Sequence, residues 1–227
     1  MSINIRYLSG GPCHPVNQQA PIFQEWLGNE FHLDARPGRQ AFEDLDDVDL
    51  FIAAGLHFST MEGTGWPDSK PYIPMTDEDF KNFRAYVASG RPVIGFHGGV
   101  ASFDDYPGFP QLLGVYWNWA STAHTPVGDW TFKPVGTDSP ISAGVGEFES
   151  NDEIYYNLQI DPSLRNVEKH LTGHYHEMYT PLIFTAEGGR VEGAGKVAYF
   201  GPGHSMESVQ APEIKTLFIN TVRWATH

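Results

Sequence analysis

The chain has 227 residues, 41% of them hydrophobic and 14% aromatic, which is enough for one large core. Its formal charge of −14, from 28 acidic against 14 basic residues, argues against a nucleic-acid surface, which needs clustered Lys and Arg. No run of about 18 apolar residues occurs, so no membrane span is expected, and the single cysteine, Cys13, excludes an internal disulfide and a multi-thiolate metal site.

Met1-Ser2 leads straight into Ile3–Leu8, whose alternation predicts a strand ending at Ser9-Gly10-Gly11-Pro12. No signal peptide is apparent ahead of it, so the expected location is the cytoplasm. Apolar residues Val16, Ala20, Ile22, Phe23, Trp26 and Leu27 follow at helical spacing after Pro15, and Gly28-Asn29 ends that helix. A second strand is expected over Glu30–Ala35. Asp49–Gly55 is a short apolar run of the kind buried on both faces of a parallel sheet. After a Gly- and Pro-rich loop, Thr76 with Asp77, Glu78 and Asp79 predicts a helix start, and Gly90-Arg91-Pro92 its end. Val93–Phe96 is the next buried strand. From about Asp104 to Asn157 the pattern is irregular, with Trp130–Val135 able to form an antiparallel strand. Gly195–Phe200 reads as a strand and Pro212–Trp224 as a closing helix. Alternating strands and helices predict a single α/β domain over 1–227, a mostly parallel sheet with helices on both faces.

The residues able to carry chemistry fall at strand ends. His97 lies in Gly95-Phe96-His97-Gly98-Gly99, where the glycines permit a sharp elbow that would lift the central residue above the sheet. Ligands of open α/β sheets bind at this carboxyl edge. Imidazole suits a metal ligand or a general base better than a covalent nucleophile. Gly201-Pro202-Gly203-His204 repeats the arrangement, so the two histidines are expected to converge, exposed, on one cleft. Asn151-Asp152-Glu153-Ile154-Tyr155-Tyr156 is an acidic run, most often a solvated face, but its apolar flank favours partial burial and makes Glu153 a candidate base or ligand. His14, His57 and His124 also lie in loops. His174 and His176 would point the same way from a strand, suited to a metal and equally to an ordinary surface. Cys13 beside His14 reads as a plain loop thiol.

In order and spacing these pieces resemble the ThuA-like (trehalose utilisation) family. The matching stretches are Gly10-Gly11 with His14, Gly90 to His97, Leu112-Leu113-Gly114 with His124, Asp138-Ser139-Pro140-Ile141 with Gly144, Asp152–Tyr155, and Gly195–His204 through Trp224-Ala225. The resemblance implies a three-layer, flavodoxin-like fold of the class I glutamine amidotransferase-like superfamily. Glutaminases of that fold carry a cysteine at the elbow and a histidine after a late strand. Here His97 replaces the thiol, so glutaminase activity is not expected, while His204, with Glu207 shortly after it, stands near the late position. Asp138-Ser139-Pro140 departs from the family's usual His-Pro pair.

Two readings follow. In the first, His97, Glu153 and His204 form a catalytic cluster that also holds a divalent metal such as zinc, with His14, His124, Tyr155 and Trp119 contacting substrate. It would act as a lyase, hydrolase or isomerase on trehalose, a related glycoside or its keto form. Trp66, Tyr106 and Trp117 are further candidate stacking faces. In the second, the fold is a non-catalytic sugar-binding or accessory module. The expected partner is a small-molecule sugar, with neither nucleic acid nor membrane, and the aromatic-rich loops are compatible with a homo-oligomer.

Overall fold

The computed structural model describes residues 2–59, 72–136 and 139–227. Trp66 and Asp138, both singled out from the sequence, lie outside the described residues. The elements follow in chain order: β1 (Ile3–Ser9), α1 (Val16–Leu27), β2 (Phe31–Pro37), β3 (Leu50–Ala53), α2 (Asp77–Ala88), β4 (Val93–Phe96), α3 (Gly108–Leu112) and the short β5 (Val115–Tyr116) and β6 (Ala123–His124). Then come β7 (Gly128–Pro134), β8 (Phe148–Asp152), β9 (Tyr155–Tyr156), β10 (Gln159–Ile160), β11 (Leu164–Tyr175), β12 (Met178–Gly188), β13 (Lys196–Phe200) and α4 (Pro212–Thr226).

Nine strands form one sheet in the order β2-β1-β3-β4-β13-β12-β11-β7-β8. The first five run parallel and reproduce the flavodoxin-like order 2-1-3-4-5, with β13 as the fifth. The last four are antiparallel. Every residue of β3 and β4 is buried, as their unbroken apolar runs required. On one face Phe23 of α1 stacks on Phe218 of α4, centroids 4.3 Å apart, over Ile5, Ile52 and Phe96. On the other, Phe83, Tyr86 and Val87 of α2 pack with Phe42, Phe51 and Phe109. Each such side chain contributes about 1.5–3 kcal/mol through removal from water.

Local signals set most helix ends. Thr76 Oγ1 accepts the Asp79 N–H while the Asp79 carboxylate accepts the Thr76 N–H, a reciprocal capping box. Gly28 takes φ 67° behind α1. The second strand begins at Phe31 instead of Glu30 because Gly28–Glu30 close a 3-10 turn.

The sequence did not announce the β11–β12 hairpin, the longest pair in the sheet. Its register shifts three times between Arg165 and Thr172, and such irregularities bend and twist a ladder. In a flat sheet β8 would stand about 19 Å from β13, four strand spacings away. Instead the Asp152 carboxylate at the end of β8 accepts hydrogen bonds from Gly203 N and His204 N, just past β13. The antiparallel half therefore curls back over the carboxyl edge of the parallel half. His174 lies in β11, but His176 falls in the turn after it with φ 50°, so the two do not share a strand face as their spacing suggested.

Candidate metal and catalytic site

Three histidines arrive from the parallel half: His14 after β1, His97 after β4 and His204 after β13. The elbow has the geometry that its glycines predicted. His97 sits at φ 41°, a left-handed conformation rare for a residue with a Cβ. A Cβ on Gly99 would lie 1.9 Å from the Ala53 carbonyl oxygen, and one on Gly98 would lie 2.4 Å from the His14 ring. The turn thus closes only without side chains at these two positions, and Gly98 makes room for His14.

The expected exposure of His97 is not found. It is 1% exposed, because His14 and Tyr155 pack on its ring with centroids 4.5 Å away. Its Nδ1 lies 2.7 Å from the Gly201 carbonyl oxygen. That oxygen can only accept, so Nδ1 carries the proton and Nε2 presents its lone pair to the cluster. Tyr155 OH is 3.2 Å from that Nε2 and donates to it.

Glu153, supplied by the segment after β8, completes the cluster. Its Oε2 is 3.0 Å from His204 Nδ1 and 3.8 Å from His97 Nε2, and its Oε1 is 3.1 Å from His124 Nδ1. One ligand atom each from His14, His97, Glu153 and His204 lies within 4.8 Å of all the others. His14, which the sequence offers either as a substrate contact or as a further member of the cluster, thus lies with the three candidate ligands. His204 takes its carboxylate partner from Glu153. Glu207, the sequence neighbour, is exposed.

Electrostatics reinforce the arrangement. Burial first, then the neighbouring His204, pushes His97 down to about 4. Burial first, then His97 and His204, hold His14 well below the usual imidazole range. Burial alone would raise Glu153, but its contacts to His124 and His204 and the nearby His97 prevail and hold it well below the usual carboxylate range. At neutral pH His14 and His97 are therefore neutral and Glu153 is ionised, the protonation states that a cation requires. The Nδ1 atoms of His14 and His204 are buried with no hydrogen-bond partner, the His204 contact to Glu153 being close but poorly aligned. Such orphaned groups cost about 1–3 kcal/mol each. Three imidazoles and one carboxylate converging within 4.8 Å, two of the imidazoles with an orphaned nitrogen, fit zinc or another first-row divalent ion.

Two residues that the sequence reading did not place in the site support it. Asp152, fully buried, accepts from Gly203 N, His204 N and Glu153 N, and so fixes both the His204 turn and the Glu153 backbone. Burial pushes its carboxyl up to about 6 in spite of those three donors. Trp117 packs edge-on against Tyr155 at 5.1 Å and lies 6.1 Å from His124. Asp152 could have been suspected from its place beside Glu153. Trp117 was named only among several aromatics.

The other candidates lie apart. Tyr106 hydrogen-bonds Asp77 at the start of α2. Trp119 reaches the cluster only through Trp117, 5.8 Å from it. His57 is tied to the Ser9 carbonyl oxygen at 2.8 Å. Neither His174 nor His176 joins the cluster. Cys13 is a free thiol, raised to about 11 by burial and by Glu153.

Among the described residues no helix is long and apolar enough to cross a membrane. No curated protein sequence matches the chain. A ThuA-like protein from Parabacteroides merdae superposes with a TM-score of 0.72 at 16% identity, over 100% of this chain and 90% of that one. One from Bacteroides uniformis gives 0.69 at 19% identity, over 99% and 91%. A cytoplasmic protein from Salmonella typhimurium gives 0.58 at 17% identity, over 92% and 87%. These likenesses establish the fold. The ThuA family, described as trehalose utilisation, matches residues 10–225, and this chain belongs to it.

Proposed function

We propose that this ThuA-family protein is a metal-assisted enzyme acting on a sugar, with trehalose, a related glycoside or its keto form as substrate, in the cytoplasm. The observation that carries the reading is the convergence of His14, His97, Glu153 and His204 within 4.8 Å. Its location is supported by the Salmonella typhimurium neighbour, which is described as cytoplasmic.

A divalent ion held by these four residues would supply Lewis acidity to a sugar carbonyl or hydroxyl oxygen. The protein's own groups do the rest. A keto group acidifies the adjacent C–H, so a base can remove that proton and drive either elimination of the β-oxygen or isomerisation. His124, half-exposed and bonded to Glu153 Oε1, is placed to move the proton, and its imidazole is held above the ordinary histidine range chiefly by that carboxylate. Tyr155 OH and the His97 ring close the floor against water. The elbow has no thiol or hydroxyl nucleophile, which supports acid–base over acyl-enzyme chemistry.

The test is metal content after loading with zinc and dialysis, in wild type and in His97→Ala and His204→Ala variants, beside an activity screen over keto-glycosides. One ion per chain, lost in both variants, with turnover of at least one keto-glycoside, is the expected result. Wild type that retains no ion refutes the metal enzyme. Metal binding with sugar affinity but no turnover favours the non-catalytic sugar-binding module instead.

A further inference from the structure

Beyond the histidine cluster lies a cavity of about 380 Å³, walled by Val100, Ala101, Pro107, Pro110, Trp117 and Trp119. Its position follows from the fold. The chain leaves the elbow through Val100-Ala101, crosses α3 and returns in Trp117-Asn118-Trp119, so elbow and cavity share one loop system. Trp117 belongs to both spaces: it lines the cavity and packs against Tyr155 and His124 of the cluster. A molecule whose reacting end sits at Glu153 and whose other end passes Trp117 would enter this cavity.

The lining specifies what that extension is. Two indoles and two prolines offer flat, apolar walls, and Trp119 keeps 50% of its surface exposed. The side-chain oxygens of three polar wall residues each already accept a hydrogen bond. Asp104 takes both the N–H and the hydroxyl of Ser59, Gln111 Oε1 accepts from Arg190, and Asn118 Oδ1 accepts from Ala120 N. Among the described wall residues, the amide NH2 groups of Gln111 and Asn118, the Tyr116 hydroxyl and the buried Trp117 Nε1 are without an acceptor. A second sugar ring presents several hydroxyls, each of which needs an acceptor as well as a donor when buried. An aromatic ring bearing an acceptor substituent needs only a flat wall and a donor.

We infer that this cavity is a subsite for an aromatic aglycone, so that the substrates are aryl glycosides with the sugar at the histidine cluster and the aglycone against Trp117 and Trp119. Assigning the sugar to the cluster rests on the function proposed above; the aromatic subsite itself does not.

The test is calorimetric binding of 4-nitrophenyl β-D-glucopyranoside, methyl β-D-glucopyranoside, cellobiose and free 4-nitrophenol to wild type and to Trp119→Ala and Gln111→Leu, with metal content measured in parallel. The nitrophenyl glucoside should bind at least about tenfold more tightly than the methyl glucoside, the scale of one aromatic stack plus its buried area. Trp119→Ala should erase that preference and weaken free 4-nitrophenol equally, while metal content and the melting temperature stay at wild-type values. Gln111→Leu should weaken the nitrophenyl compounds alone. Equal affinity for the two glucosides, a preference that survives Trp119→Ala, tighter binding of cellobiose, or no binding of 4-nitrophenol would each overturn the inference. Trp119-dependent nitrophenol binding in a protein that holds no metal would sink the proposed enzyme and leave the subsite standing. Metal binding without nitrophenol binding would do the reverse.

Discussion

The two halves of the sheet contribute to the site in different ways. The parallel half, β2-β1-β3-β4-β13, delivers His14, His97 and His204 at the ends of three strands, where any open α/β sheet presents its loops. The antiparallel half, β12-β11-β7-β8, delivers Glu153, Tyr155 and the segments around His124 only because it curls back across that edge. In the parallel half β3 and β4 are buried throughout, and Gly99 is fixed by its close approach to the Ala53 carbonyl oxygen. At the site the antiparallel half is joined to the parallel half through the buried Asp152 carboxylate, through Glu153 on His204 and through Tyr155 on His97. A charge-complementary cluster thus spans two regions that share one sheet and one hydrophobic core, and its geometry depends on how the antiparallel strands curl.

Substitutions that separate the halves sharpen this comparison. The largest effect is expected for Gly99→Ala in the parallel half, where the new methyl meets the Ala53 carbonyl oxygen at 1.9 Å. Urea denaturation should show a loss on the order of 4 kcal/mol, the range reserved for core overpacking at a strained turn. A loss under about 1 kcal/mol would mean that the elbow is plastic.

Asp152→Asn probes the junction. The amide nitrogen would face the Gly203 N–H in place of an acceptor, so the His204 turn should loosen at a stability cost of about 1–3 kcal/mol. Metal affinity should fall by about 10–100-fold, as for other groups that orient ligands without touching the ion. Unchanged zinc affinity by competition titration would show that the Asp152 bridge does not position the cluster.

Thr76→Ala, at the N-terminus of α2 and away from the junction, should give the smallest effect, about 1 kcal/mol from the lost cap, with metal content unaltered. Its pH dependence is fixed by Asp79. Burial would raise that carboxyl, but hydrogen bonds from Thr76 and Arg39 prevail and hold it below its ordinary value. A depressed carboxylate stabilises the fold above the unfolded pKa, so the wild-type advantage should be complete at pH 7. It should shrink as pH falls from about 4 through the folded pKa. A gap between Thr76→Ala and wild type that is flat from pH 7 to pH 2 would contradict the capping box.

The site was partly legible in the sequence for reasons that these residues make plain. Gly98 and Gly99 directly after His97 and the Val93–Phe96 strand announce an elbow, because a backbone forced to φ 41° and pressed against Ala53 tolerates few sequences. The Gly201–His204 turn carries a similar local mark. Glu153 was visible as a candidate but not as the partner of His204, since that pairing depends on how far the antiparallel half curls. Glu207, three residues from His204, looked equally available and points to solvent. The burial of His97 was hidden because its cover comes from His14 and Tyr155, residues far from it in the chain.

By itself the sequence determined the local conformations: buried strands from unbroken apolar runs, helix starts from Pro15 and Thr76, and turns from glycines with no steric alternative. It also determined the chemistry on offer, imidazoles and a carboxylate with no thiol at the elbow. The tertiary structure alone decided which of those groups meet. The physical reason is range: propensity and periodicity act over a few residues, whereas the β11–β12 register shifts and the Asp152 bridge set distances between segments about 50 residues or more apart.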